Sequence, residues 1–98
     1  MQKAVFIVYN QALTERVDFM LKSLKIKGFT QFPTVNGAGS HTGEPRMGSH
    51  TWPEMNSATL TVVNEEMVPF LLKYIKKLDE VNLENGIRAF VWNIEQVY

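Results

Sequence analysis

The chain is 98 residues long, carries ten Lys and Arg against ten Asp and Glu, and has no cysteine. That length provides for one domain, 1–98, with a single core, and the 45% apolar and 11% aromatic content is that of a folding chain rather than a disordered one. Electroneutrality argues against generic binding to nucleic acid or anionic membrane, and the missing cysteine excludes disulfides, iron–sulfur clusters, thiolate zinc sites and cysteine nucleophiles.

Lys3 to Tyr9 is β-branched and aromatic, and is expected to form a buried strand. A helix follows, with Thr14 as its N-cap and an apolar stripe at Val17, Met20, Leu21 and Leu24. Lys25 and Lys27 suit its C-terminal end, and Gly28 is expected to supply the left-handed stop. Phe29 to Val35 reads as a second strand, which Pro33 marks as an edge or a bulge. A third strand is expected at Ala58 to Val63. Asn64-Glu65-Glu66 opens a second helix with a cap candidate and negative charge at the positive dipole end. Its stripe is Val68, Leu71, Leu72, Ile75 and Leu78, and Pro69 is tolerable only in the first turn, where its missing N–H has no helical partner. The chain breaks from Asn82 to Gly86, and Ile87 to Ile94 is the fourth strand.

Between the second and third strands runs a loop, 36–57, that holds both histidines and four of the six glycines. A loop of that length in so small a chain is usually functional or a linker, and a flexible linker would carry Gly and Ser without Trp, His, Met and Arg. The loop is therefore where activity is expected.

The order β-α-β-β-α-β, with right-handed crossovers, implies an α+β, ferredoxin-like sandwich: an antiparallel four-stranded sheet with both helices on one face. The first strand is apolar at both parities, Ala4, Phe6 and Val8 as well as Val5, Ile7 and Tyr9. The fourth offers Ile87, Ala89 and Val91 on one side and Phe90, Trp92 and Ile94 on the other. Two helices cover one face, so the other must be buried by something else, most simply another copy of the chain. Fold alone does not give function. Ferredoxins need cysteines, RNA-recognition motifs need an aromatic third strand, which Ser57 to Val63 is not, and acylphosphatases need an Arg in the first turn, which here is Asn10-Gln11-Ala12-Leu13.

Val35-Asn-Gly-Ala-Gly-Ser-His-Thr-Gly43 resembles the Val-x-Gly-x-Gly-x-Gln-x-Gly at the base of the T-loop in the PII signal-transduction proteins. Thr61-Val-Val63 before a capped helix resembles their third strand and second helix, and Gly86-Ile-Arg-Ala-Phe-Val91 resembles their Gly-x-Gly-Lys-Ile-Phe-Val. The motifs occur in order over nearly the whole chain. The resemblance implies a non-enzymatic regulator: a homotrimer with open sheet faces turned inward, an effector site between subunits (an adenine nucleotide, ATP or ADP, in the best-known members), and a loop that changes conformation and docks onto a protein partner, a membrane transporter or an enzyme. Ligand contacts would fall to Gly37, Gly39, His41, Thr42, Gly43 and Arg88, the last standing where the family has a phosphate-contacting lysine. Closely spaced glycines let backbone N–H groups form an anion nest. Partner contacts would fall to Glu44, Arg46, Met47, His50 and Trp52.

The departures are specific. His41 stands at the family's adenine-site glutamine, Gly-x-Gly is reduced to Gly86, and the C-terminal arginines have no counterpart up to Tyr98. The loop holds no tyrosine, which argues against uridylylation. Two alternatives stand beside this reading. One is a metal-binding trimer like the divalent-cation-tolerance proteins, with His41 and His50 as ligands near Glu44 and Glu54. The other is a small dimeric α+β barrel enzyme using His50 and Trp52. No catalytic constellation is evident; Ser40, His50 and Asp79 make a triad only on paper. No apolar run approaches the roughly 20 residues that span a bilayer, and the start shows no cleavage-site pattern, so a soluble cytoplasmic protein without membrane insertion or nucleic-acid binding is expected.

Overall fold

Strand β1 (Gln2–Asn10) lies inside the sheet, with β3 (Asn56–Asn64) on one side and β4 (Ile87–Asn93) on the other. Strand β2 (Phe29–Val35) is an outer edge, giving the antiparallel order β2-β3-β1-β4. This is the ferredoxin-like arrangement expected from the element order, seen in a computed structural model that describes residues 1–38, 55–81 and 86–98. Helices α1 (Thr14–Ser23) and α2 (Val68–Val81) each follow a 3₁₀ turn, at Gln11–Leu13 and Glu65–Met67. Pro69 is the second residue of α2, inside its first turn. Among the described residues no helix is long and apolar enough to cross a membrane.

The core lies between the sheet and the helices. Val5, Ile7 and Tyr9 of β1 meet Val17, Met20 and Leu21 of α1, Leu71 and Ile75 of α2, and Ile87 of β4. Strand β3 contributes hydroxyls to this layer: Ser57, Thr59 and Thr61 are fully buried. Burial of an unpaired hydroxyl is costly, and each of these has a partner. Ser57 Oγ donates to Pro33 O (2.6 Å), Thr61 Oγ1 donates to Gly28 O (2.6 Å), and Thr59 Oγ1 shares a hydrogen bond with Tyr9 Oη (2.9 Å). Two of the three hydroxyls thus tie β2 to β3 at its two ends. Pro33 falls where the β2–β3 register shifts, between Phe32 and Val35, so it lies on an edge strand and at a bulge together.

Four local expectations are corrected. Asn10, not Thr14, caps the start of the first helical segment: its Oδ1 accepts from Ala12 N–H at 2.9 Å, because the chain passes from β1 straight into the 3₁₀ turn. The Thr14 hydroxyl instead donates to Gln11 O at 2.7 Å. The left-handed stop falls on Lys25 (φ 59°), not Gly28. Ile26 N–H returns to Leu21 O and Lys25 N–H to Lys22 O, a Schellman closure that turns the chain early enough to bury Ile26 with Leu21. Leu72 is exposed, since it lies about 100° around the helix from Leu71. Asn56 and Ser57, placed in the loop by sequence, belong to β3, where they pair with Asn10 and Tyr9.

The second sheet face carries Phe6 and Val8, Leu60 and Val62, Phe32, and Phe90 and Trp92. Phe6 and Phe32 pack edge to face at 6.5 Å. The flanks stay open: Phe32 is 41%, Val62 43%, Trp92 49% and Phe90 55% exposed. A contiguous apolar sheet face in this state is the signature of an interface.

Candidate functional site

The described residues nearest the long loop gather at one end of the sheet. Antiparallel pairing brings Val35 to Asn56, Asn56 to Asn10, and Tyr9 to Ile87, so the loop's two feet and the start of β4 converge. The turn after β1 binds them together. Gln11 N–H donates to Met55 O (2.9 Å), Asn10 N–H donates to Gly86 O (3.1 Å), and Gln11 Nε2 reaches Pro33 O at 3.4 Å. Gly86 adopts φ 70°, which glycine takes without strain.

Gly37, expected to let a ligand approach, has a structural occupant in the space its missing side chain leaves. The Asn56 carboxamide lies where a Cβ would stand, and Asn56 is buried and engaged in further interactions. Arg88 lies on edge strand β4, 73% exposed, with one guanidinium nitrogen 3.3 Å from Asp79 Oδ2 and donating to Ile87 O at 2.9 Å. A pair that open to solvent is weak, so the guanidinium can be recruited by an anionic ligand. It also places Asp79 at an ion pair on the surface. Gly39, His41, Thr42, Gly43, Glu44, Arg46, Met47, His50 and Trp52 lie outside the described residues, as does Ser40. Among the described residues no group of three or more His, Cys, Asp and Glu could hold a metal.

At the opposite end of the sheet is an open groove of about 270 Å³, lined by Gln2, Lys25 to Gly28, Val62 to Asn64, and Met67. It lies on the order of 20 Å from Gly37, given roughly 3.3 Å per strand residue. Sequence reading missed this groove, having assigned Lys25, Lys27 and Gly28 to a helix terminus. Its only sequence signal was the density of lysine around a glycine immediately before an edge strand.

Below the helices, burial pushes the Tyr9 phenol pKa above its usual value; the Thr59 hydrogen bond works against that shift and the Asp18 carboxylate adds to it. At neutral pH Tyr9 is therefore a neutral hydrogen-bonding core residue.

Comparison with known proteins is consistent with this architecture. CPII of Thiomonas intermedia K12, a nitrogen regulatory PII-like protein, in a structure bound to ADP and bicarbonate, superposes with a TM-score of 0.77 at 25% identity, covering 95% of this chain and 85% of that one. A second CPII structure, bound to ADP, AMP and bicarbonate, gives 0.78 at 24% identity over the same shares and speaks to the fold. A PII-like signaling protein of Thermus thermophilus, TTHA0516, gives 0.69 at 28% identity, covering 95% of this chain and 86% of that one. A comparison with curated proteins finds no match. The family model for nitrogen regulatory protein P-II matches residues 2–98, and the chain belongs to that family.

Proposed function

We propose that this chain is a single-domain, non-enzymatic regulator that assembles as a homotrimer and binds an adenine nucleotide between subunits. It works in the cytoplasm and reports its ligand state to a protein partner, a membrane transporter being the partner in mind. The observation that carries the reading is the uncovered apolar sheet face of Phe32, Val62, Phe90 and Trp92, which an isolated subunit leaves in water. Family membership and the ADP-bound CPII structure support the ligand class.

In this reading Gly37, Gly39, His41, Thr42 and Gly43 form the loop-base contacts and Arg88 supplies charge to the phosphates. The groove at Lys25 to Gly28 lies at the other end of the sheet, so a ligand touching both ends must bridge two copies. Its two lysines and its apolar wall of Val62 and Met67 suit a phosphate-bearing aromatic ligand. Glu44, Arg46, Met47, His50 and Trp52 would meet the partner.

Light scattering combined with thermal shift tests the reading. A trimer is expected, with a melting temperature that rises with ADP or ATP concentration as mass action requires, and the response should weaken in Arg88→Ala. A monomer, or a melting temperature indifferent to adenine nucleotides at millimolar concentration, would overturn it.

A further inference from the structure

A second concavity, which shares Lys25, Ile26 and Lys27 with the groove above, lies between α1 and the outer strand. Strand β2 is the sheet edge, and among the described residues no strand lies beyond it. Asp18, Leu21 and Lys22 stand at i, i+3 and i+4 of α1 and form one wall of a crevice of about 290 Å³; Lys25, Ile26, Lys27 and Phe29 form the rest. Leu21 and Ile26 are buried core residues that floor it, and the Phe29 ring stands 44% exposed at its side.

Its charge is unbalanced. Three ammonium groups, Lys22, Lys25 and Lys27, ring the crevice against the single carboxylate of Asp18. That carboxylate is already engaged, accepting from Gln31 Nε2 at 2.5 Å. None of the three lysine side chains makes an ion pair or hydrogen bond with a described residue.

The backbone adds an independent observation. Lys25 holds φ 59°, the left-handed conformation that glycine or asparagine adopts at lower cost. The favourable field of a helix C-terminus accounts for a cation nearby, but glycine at 25 with lysine at a neighbouring position would provide the same field without strain. Strain retained at a cavity rim points to use of the side chain.

We propose that this crevice binds an amphiphilic organic anion, one carboxylate or phosphate on an apolar body of about ten to fifteen non-hydrogen atoms. The apolar body lies on Leu21, Ile26 and Phe29, and the anion meets the lysines at the rim. The site shares Lys25, Ile26 and Lys27 with the groove offered to the nucleotide but is set apart from it by Asp18, Leu21, Lys22 and Phe29, and it does not rest on that reading.

The test is a titration of the isotopically labelled full chain followed by amide resonances. Probes are 3-phenylpropionate, phenyl phosphate, the neutral 3-phenylpropanol and inorganic phosphate. Saturable shifts at Leu21, Ile26 and Phe29 are expected with at least one of the two phenyl acids, and the tighter of the two identifies the anion. The alcohol should bind about tenfold more weakly, in line with loss of charge-assisted contacts. Lys25→Gly suits the backbone and should keep or raise the melting temperature while weakening the acid. Combining it with Lys22→Gln and Lys27→Gln should weaken binding about tenfold or more. No saturable shift with either acid overturns the proposal. So does an alcohol that binds as tightly as the acids, inorganic phosphate that reproduces the same shifts, or an unchanged affinity in the folded triple variant.

Discussion

Tyr9 shows how one buried side chain sets a pH limit on this fold. Its phenol is 1% exposed and hydrogen-bonded to Thr59, and burial raises its pKa in the folded state. An acid whose folded pKa is raised contributes stability that is fully present below the unfolded pKa, about 10. That contribution is lost as pH rises through the folded value, because ionising Tyr9 then favours the unfolded chain. Denaturant melts taken from pH 8 upward should lose stability above about pH 10, and Tyr9→Phe should flatten that loss. At neutral pH the same substitution should cost about 1–2 kcal/mol, since Thr59 is left with a buried unpaired hydroxyl. Gly37 makes a second residue-scale case. A methyl group there meets the buried Asn56 amide, so Gly37→Ala should destabilise by about 1–3 kcal/mol. In an Asn56→Ala background most of that cost should vanish, a coupling that a double-mutant cycle reads directly.

At the scale of elements, the outer strand β2 is held by more than its ladder. Its bulge and Pro33 remove regular pairing near one end, and the hydroxyls of Ser57 and Thr61 bind the carbonyls of Pro33 and Gly28. Ser57→Ala and Thr61→Val should each cost about 1–2 kcal/mol. Hydrogen exchange should increase in β2 well before it does in β1, because β2 depends on these staples while β1 is paired on both sides. Sequence reading saw β3 as a strand without aromatics and did not single out its alternating hydroxyls. Their purpose is visible only once β2 lies alongside. The edge character of β2 was legible from Pro33, since a residue without an N–H is poorly placed in a central strand.

At the scale of the whole molecule, the decisive feature is a sheet apolar on both faces. The helices bury one face, and the other retains exposed Phe90, Trp92 and Val62. If self-association covers it, a charge there should dissociate the assembly with little effect on the subunit's own fold. Val62→Glu or Phe90→Glu should shift light-scattering mass from trimer to monomer while far-ultraviolet circular dichroism stays native. A variant that unfolds outright would instead assign the face to subunit stability.

The amino-acid sequence by itself determined the element order, the antiparallel α+β class, the two-sided apolar sheet and the P-II relationship. These follow from periodicity, turn chemistry and local motifs, which act over a few residues at a time. Tertiary structure alone decided which turn residue becomes left-handed, which hydroxyls staple β2, that Asn56 occupies the space beside Gly37, and that Arg88 meets Asp79. It also decided the crevice between α1 and β2. Each of these joins residues far apart in sequence or balances local strain against core burial. Lys25 is the clearest instance: local preference favoured Gly28 as the helix stop, and the burial of Ile26 against Leu21 moved that stop three residues earlier.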